Sequence, residues 1–225
     1  VIAAENYKAI EKAKKLIELD IEELKSTLCL QESIDAEDFL TIQKRIARGD
    51  TDKAFLDAPH TLEGIFENGG QEHFYLESHA CAALPLENNQ IEVHSSSQHP
   101  SETQHVVAQS LGLSYHQVVC VVKRMGGGFG GKESQAAPFA SLVALCAKKL
   151  KRPARMIINK DDDMKVTGKR HPFKNFWKVA FDNDGKILGY KIELFSNGGA
   201  YTDLSESILE RAMLHSDGCY YLPNV

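Results

Sequence analysis

Between the β-branched run Val118-Val119-Cys120-Val121-Val122 and a helix-compatible stretch at 134–150 stand Met125-Gly126-Gly127-Gly128-Phe129-Gly130-Gly131-Lys132-Glu133. Five glycines crowd one phenylalanine. Glycine is favoured where the backbone turns sharply, or approaches something closely with no side chain in the way. A glycine loop that opens a helix also presents free N–H groups and the positive end of the helix dipole, which suits an anion. The stretch predicts a strand–loop–helix unit with an anion, a phosphate-bearing cofactor, at the loop.

Two familiar glycine patterns nearly fit, and both fail on chemistry. Gly126, Gly128 and Gly131 satisfy G-x-G-x-x-G, but a dinucleotide site also expects an acidic residue about 20 positions on, to hold the ribose. That region reads Lys149-Leu150-Lys151-Arg152. Residues 126–132 also satisfy most of a P-loop, yet Glu133 stands where a Ser or Thr hydroxyl should ligate magnesium. A glycine-rich turn with no ligand stays open at this point.

A net charge of −5 leaves no basic excess to neutralise nucleic-acid phosphates. With 43% hydrophobic and 25% charged residues, 225 residues can build a sizeable core. No apolar run is long enough to span a membrane, and no secretory signal is visible. The five cysteines are odd in number and form no C-x-x-C pair, which supports neither a zinc site nor a disulfide framework. Cys120 and Cys146 read as buried thiols, and the reducing cytoplasm is the expected compartment. The nine histidines make no H-E-x-x-H, and their loose spacing gives no metal site.

The expected organisation has three parts: residues 1–25, an incomplete N-terminal piece, which the resemblance below implies is the tail of a preceding smaller α/β domain; 26–66, a connector; and 67–225, the main domain. Apolar spacing predicts helices over 4–18 and 36–48, the second stopped by Gly49. Strands are expected at 73–77, 91–95, 118–122 and 155–159. A helix at 101–111 would open on a Ser101/Gln104 capping box, and a final helix spans 205–215. Residues 176–181 and 186–195 flank Asp182-Asn183-Asp184-Gly185, a strong hairpin signal. Irregular alternation of strands and helices predicts a mixed α+β domain.

Four stretches together carry a resemblance. They are Gly70-Gln71-Glu72-His73-Phe74-Tyr75-Leu76-Glu77, the glycine segment from Lys123 to Glu133, Thr167-Gly168-Lys169-Arg170-His171-Pro172-Phe173, and Asp203-Leu204-Ser205-Glu206-Ser207-Ile208-Leu209-Glu210-Arg211-Ala212. In this order and at these spacings they resemble the molybdenum-cofactor-binding part of the xanthine dehydrogenase family. The match covers 69–225, and 1–68 resemble the family more loosely, as a hammerhead-like tail plus connector. The resemblance implies a mixed-sheet molybdopterin-binding domain, present in part. It implies a molybdopterin, as mononucleotide or dinucleotide form, whose molybdenum carries oxo, sulfido and hydroxide ligands. It further implies hydroxylation of hypoxanthine and xanthine to urate, with electrons leaving through [2Fe-2S] clusters and FAD to NAD on a partner subunit or domain. A homo-oligomer of the full complex is implied as well.

Residue by residue, Gln98 matches the glutamine whose amide hydrogen-bonds a molybdenum oxygen ligand. Gly128, Phe129 and Gly130 match the loop whose backbone lies against the molybdenum centre. Glu133 matches the carboxylate that contacts the purine. Read without the family, Gln98 is a polar strand-end residue, Phe129 a core anchor, and Glu133 an acid in a helix first turn. Related aldehyde oxidases generally lack a carboxylate at the Glu133 position, so that residue favours purines over aldehydes. Gln71, Glu72 and His73 read as structural supports. A competing class is an interaction domain that kept the fold and lost the chemistry, against which the intact Gln98, Phe129 and Glu133 set argues. The family's substrate-binding arginine and catalytic glutamate match positions beyond Val225, so no general base is assigned here. The 225-residue chain alone is therefore expected to form no urate from xanthine, and detectable urate from the purified chain would refute this.

Overall fold

A computed structural model describes all 225 residues. In chain order the elements are α1 (Tyr7–Lys14), α2 (Leu30–Asp35), α3 (Thr51–Asp57), β1 (His60–Asn68), β2 (Ala80–Pro85), β3 (Ile91–Ser95), α4 (Pro100–Leu111), β4 (Val118–Val121), α5 (Ala136–Leu150), β5 (Ala154–Ile157), α6 (Lys160–Val166), β6 (Phe173–Phe181), β7 (Ile187–Ser196) and α7 (Ser205–Leu214). They fall into two compact units, Val1–Leu24 with Glu72–Lys169, and Lys25–Gln71 with Arg170–Val225. The architecture is mixed α+β, as expected. No helix is long and apolar enough to cross a membrane.

The first unit is built on a four-stranded sheet ordered β4-β3-β2-β5. β3 and β4 are parallel, whereas β2 runs antiparallel to both β3 and β5. Parallel neighbours need a crossover, and α4 fills it. Pro100 opens α4 where its missing N–H costs nothing, and Gly112, at φ +63°, closes it. The Ser101/Gln104 capping box is not formed. His99 is the N-cap, and the Gln104 amide instead donates to the Val118 carbonyl at 2.6 Å, tying α4 to the start of β4.

Helix α5 buries Ala136, Ala137, Ala140, Ala144 and Ala147. This stripe recurs every three or four residues, and its small side chains let the helix lie close on β2, β3 and β5. Ala83, Ile91, Val93, Val107, Val118 and Val143 complete that core. Cys81 belongs to it as well, its thiol pushed up to about 12 by burial. Cys120 and Cys146, expected as buried thiols, are only half-buried.

The second unit contains the antiparallel sheet β1-β6-β7. The expected hairpin is present, with Gly185 at φ +79° in the turn and three further residues at the start of β6. Residues 26–66, expected as a connector, include α3 and most of β1, which pairs with β6 from His60 to Asn68. The helix expected at 36–48 does not form, and the helix there, α2, ends at Asp35. Tertiary contacts hold 36–48 in another conformation: Phe39 stacks on Phe195 at 6.1 Å, Lys44 pairs with Glu206 and Glu210 of α7, and Arg48 exchanges backbone hydrogen bonds with Val225.

Because Ala144 is fully buried against the sheet, Ala144→Leu should overpack the first unit and cost about 1–3 kcal/mol. Chemical denaturation checks this, and an unchanged midpoint would contradict the close helix–sheet contact.

Candidate functional site

Strand direction gathers four segments at one edge of the first unit's sheet. β3 and β4 are parallel, with His94 opposite Val121, so the segments that follow them, 96–99 and 122–135, leave the sheet side by side. The carboxyl ends of parallel strands are where ligands bind in open sheets. β2 runs the other way, with Cys81 opposite Ser95, so the residues before it, 72–79, reach the same edge. β5 reverses again, with Ile157 opposite Ala80, and delivers 158–167.

Gln98 meets the glycine loop here. Its main-chain N–H donates to the Lys132 carbonyl at 2.8 Å. Its side-chain Oε1 accepts from the Gly130 N–H at 2.9 Å and the Lys132 N–H at 3.2 Å. Those two donors fix which end of the amide is oxygen, leaving the NH2 of this exposed side chain as the end available to another molecule.

The loop's glycines have local explanations. A Cβ on Gly128 would lie 2.4 Å from Gln98 Oε1, one on Gly126 2.6 Å from Glu77 Cβ, and one on Gly131 2.8 Å from the His73 and Tyr75 rings. Gly127 and Gly130 take φ +94° and +92°, where an L side chain is strained. The glycine pattern thus reflects how tightly this main chain packs on its own unit. The outward feature is Phe129, a non-glycine residue at φ +53° whose side chain is 61% exposed. A bulky residue in the left-handed region costs about 1–2 kcal/mol, so Phe129 is neither a relaxed turn residue nor a core anchor.

Glu133 is exposed in the turn between loop and helix. It was expected in a helix first turn, but α5 begins three residues later, at Ala136, and has no acid in its first turn.

Beneath the loop lies a polar layer that sequence reasoning did not single out. Residues 73–77 form no strand. Phe74 at φ +53° breaks the extended run and turns Tyr75 inward to 1% exposure. The Tyr75 hydroxyl donates to Asp163 Oδ1 at 2.5 Å, and Asp163 Oδ2 accepts from the His79 N–H and stands 3.0 Å from its Nδ1. Burial pushes the Tyr75 pKa up, and Asp163 reinforces this. Burial lowers His79 despite the opposing pull of Asp163. Burial works against the Asp163 carboxylate, but the bonds from Tyr75 and His79 outweigh it and leave its pKa lowered. Glu72, one of the expected supports, pairs with Lys169 at 2.9 Å.

Next to this layer Lys132 is wholly buried. Its ammonium donates to Ser96 Oγ at 2.7 Å and Glu77 Oε2 at 3.2 Å, and lies 4.6 Å from the Tyr75 ring centroid. Glu77 Oε2 also accepts from Ser96 Oγ and from the Gly126 N–H. Burial opposes the Glu77 carboxylate, yet the donors from Gly126, Ser96 and Lys132 win and lower its pKa. Burial lowers Lys132, with Glu77 opposing. Glu77 and Lys132 both lie inside stretches that already stood out in the sequence, but Asp163, one of three consecutive aspartates, had no distinguishing signal.

No group of three or more His, Cys, Asp or Glu side chains is placed to hold a metal ion directly. The donor at the loop is a carboxamide NH2 beside exposed main chain, chemistry that suits the oxygens of a metal already carried by an organic group. The residues present therefore fit a molybdenum-bearing pterin at this edge.

Residues 35–225 match the family described as molybdopterin cofactor-binding domain. The whole chain is 44% identical over 226 residues to xanthine dehydrogenase of Calliphora vicina, and 38% identical over 230 residues to a nicotinate hydroxylase of Emericella nidulans. It spans 17% of the length of each of these curated relatives. Among solved structures it is similar to the aldehyde oxidoreductase of Desulfovibrio gigas, with TM-score 0.81 and 28% identity, covering 91% of this chain and 23% of that one.

Two glycine substitutions should behave differently. Gly128→Ala must displace Gln98, break both Oε1 bonds and cost about 1–3 kcal/mol. Gly130→Ala meets nothing within 4 Å and pays only the strain of its φ, about 1–2 kcal/mol. Amide exchange separates them: the Lys132 N–H should lose protection in Gly128→Ala and keep it in Gly130→Ala.

Proposed function

The chain belongs to the molybdopterin cofactor-binding domain family, and from that premise we propose that it forms the first part of the molybdenum-cofactor site of a purine-hydroxylating enzyme of the xanthine dehydrogenase type. The observation that carries the reading is the arrangement at the sheet edge. Gln98 Oε1 is held by the Gly130 and Lys132 N–H groups, Phe129 is strained and exposed beside it, and Glu133 follows in the next turn. The 44% identity to a xanthine dehydrogenase over the full chain supports it.

When bound, the molybdopterin supplies the redox centre for oxygen insertion and accepts the electrons released from substrate. Gln98 offers its carboxamide hydrogens to an oxygen ligand of the molybdenum. Gly130, where a Cβ would meet nothing within 4 Å, and the exposed Phe129 beside it leave the outer backbone of the loop open to close approach by the centre. Glu133 accepts from the N–H edge of a purine and so orients it for hydroxylation. A flat heterocycle that pairs with this carboxylate is selected over an aldehyde that cannot.

Iron–sulfur and flavin groups on partner domains or subunits, with NAD, would take up those electrons in the full enzyme. The five free cysteines support a reducing compartment such as the cytoplasm.

A second reading has specific support. Similarity to a nicotinate hydroxylase and to an aldehyde oxidoreductase makes a different heterocycle or an aldehyde the alternative substrate. Substituting Glu133→Ala in the full enzyme separates the two. Xanthine kcat/KM should fall by at least about a hundredfold, while turnover of an aromatic aldehyde changes much less. Equal losses on both substrates would remove the purine-contact role from Glu133.

A further inference from the structure

The segment 126–132 is held at two places, and each holds a different end. Glu77 grips the entrance: its carboxylate accepts from the Gly126 N–H at 2.9 Å, and its own N–H donates to the Gly126 carbonyl at 3.1 Å. Gln98 grips the exit through Gly130 and Lys132. Lys132 takes part in both. Its main chain carries two of the bonds to Gln98, and its ammonium reaches back to Glu77 and Ser96. Gly126 to Lys132 is thereby closed into a ring, with Phe129 at its outer point.

An ion pair is a poor way to gain stability here. Removing a fully buried ammonium from water carries a large desolvation cost, and its partner's side chain is still 40% exposed. A well-packed apolar side chain would be as stable or more so. What the charge supplies instead is a fixed distance between the two grips. A bulky residue stays in the left-handed region only where its surroundings over-determine it, and Phe129 at φ +53° is in that position. The same ring fixes Gln98, because the donors that orient its amide belong to residues 130 and 132.

We propose that Lys132 and Glu77 act as a positioning pair that closes the glycine loop, and thereby sets where Phe129 and the Gln98 amide stand relative to the bound pterin–molybdenum group. This rests on the reading of the sheet edge given above. Neither residue touches cofactor or substrate in this assignment; both act through the loop.

The test uses the full holoenzyme with Lys132→Met, Glu77→Gln and the double variant. It reads backbone amide exchange by mass spectrometry, molybdenum and pterin content, and kcat and KM separately. Each single variant should speed exchange across 126–132 by about tenfold or more while α5 stays protected. It should lower kcat by a comparable factor, with KM within about twofold and cofactor content retained. The double variant should be no worse than either single, as for residues acting as one unit. Unchanged exchange at 126–132, an equal rise in α5, or additive effects in the double variant would each overturn the proposal. Loosened exchange with kcat unaltered would also overturn the positioning role. That failure is distinct from failure of the purine reading, which shows only as equal losses on both substrates in Glu133→Ala. Should Lys132→Met not fold, Glu77→Gln alone carries the same outcomes, since its half-exposed side chain keeps its shape.

Discussion

The glycine loop keeps its shape because its main chain lies in contact with side chains from other segments, with no room for a Cβ between them. Glu77 meets Gly126, Gln98 meets Gly128, and His73 with Tyr75 meets Gly131. The contacts come from two separate stretches of sequence, 72–79 and 96–99, which arrive at one sheet edge because β2 runs antiparallel to the parallel pair β3 and β4. Close approach of backbone to side chain also creates the bonds that orient Gln98. The loop and the residues around it therefore fix one another.

Below the loop, polar groups are buried and engaged together. Tyr75, His79 and Asp163 form one cluster, and Lys132, Glu77 and Ser96 another, joined where the Lys132 ammonium lies over the Tyr75 ring. Buried polar groups are costly unless satisfied, and a satisfied network is stiff. Stiffness suits a site whose proposed work is to hold a redox group in place, because misplacement by an ångström is expensive in rate. Glu77 and Asp163, whose carboxyl pKa values are lowered by the bonds they accept, bind fewer protons folded than unfolded, so the stability they lend is present above their unfolded pKa values and lost as pH falls through the folded ones.

Much of the fold was legible. β3 and β4 are dense in β-branched residues, α5 carries its alanine stripe, and the β6–β7 hairpin announces itself through Asp182 to Gly185. What escaped has physical reasons. β2 reads Ala-Cys-Ala-Ala-Leu-Pro, with little intrinsic strand preference. β1 is exposed along nearly its whole length and shows no alternation. α3 and α6 are seven residues each, and the side-chain caps at Asp50 and Asn159 that open them are hard to tell from turns. Residues 36–48 have helix-compatible spacing, but contacts with β7 and α7 decide their conformation.

For the candidate site the division is sharper. Sequence alone determined that the chain carries a glycine loop between a strand and a helix, a glutamine after another strand, and an acid after the loop, because those are properties of residue order. It also determined the family, since four separated stretches match in series. Tertiary structure alone decided that Gln98 Oε1 faces Gly130 and Lys132, that Phe129 is strained and turned outward, and that Lys132 is buried on Glu77. Those facts depend on strand direction and on how closely distant segments pack, and neither is written in any local stretch of the chain.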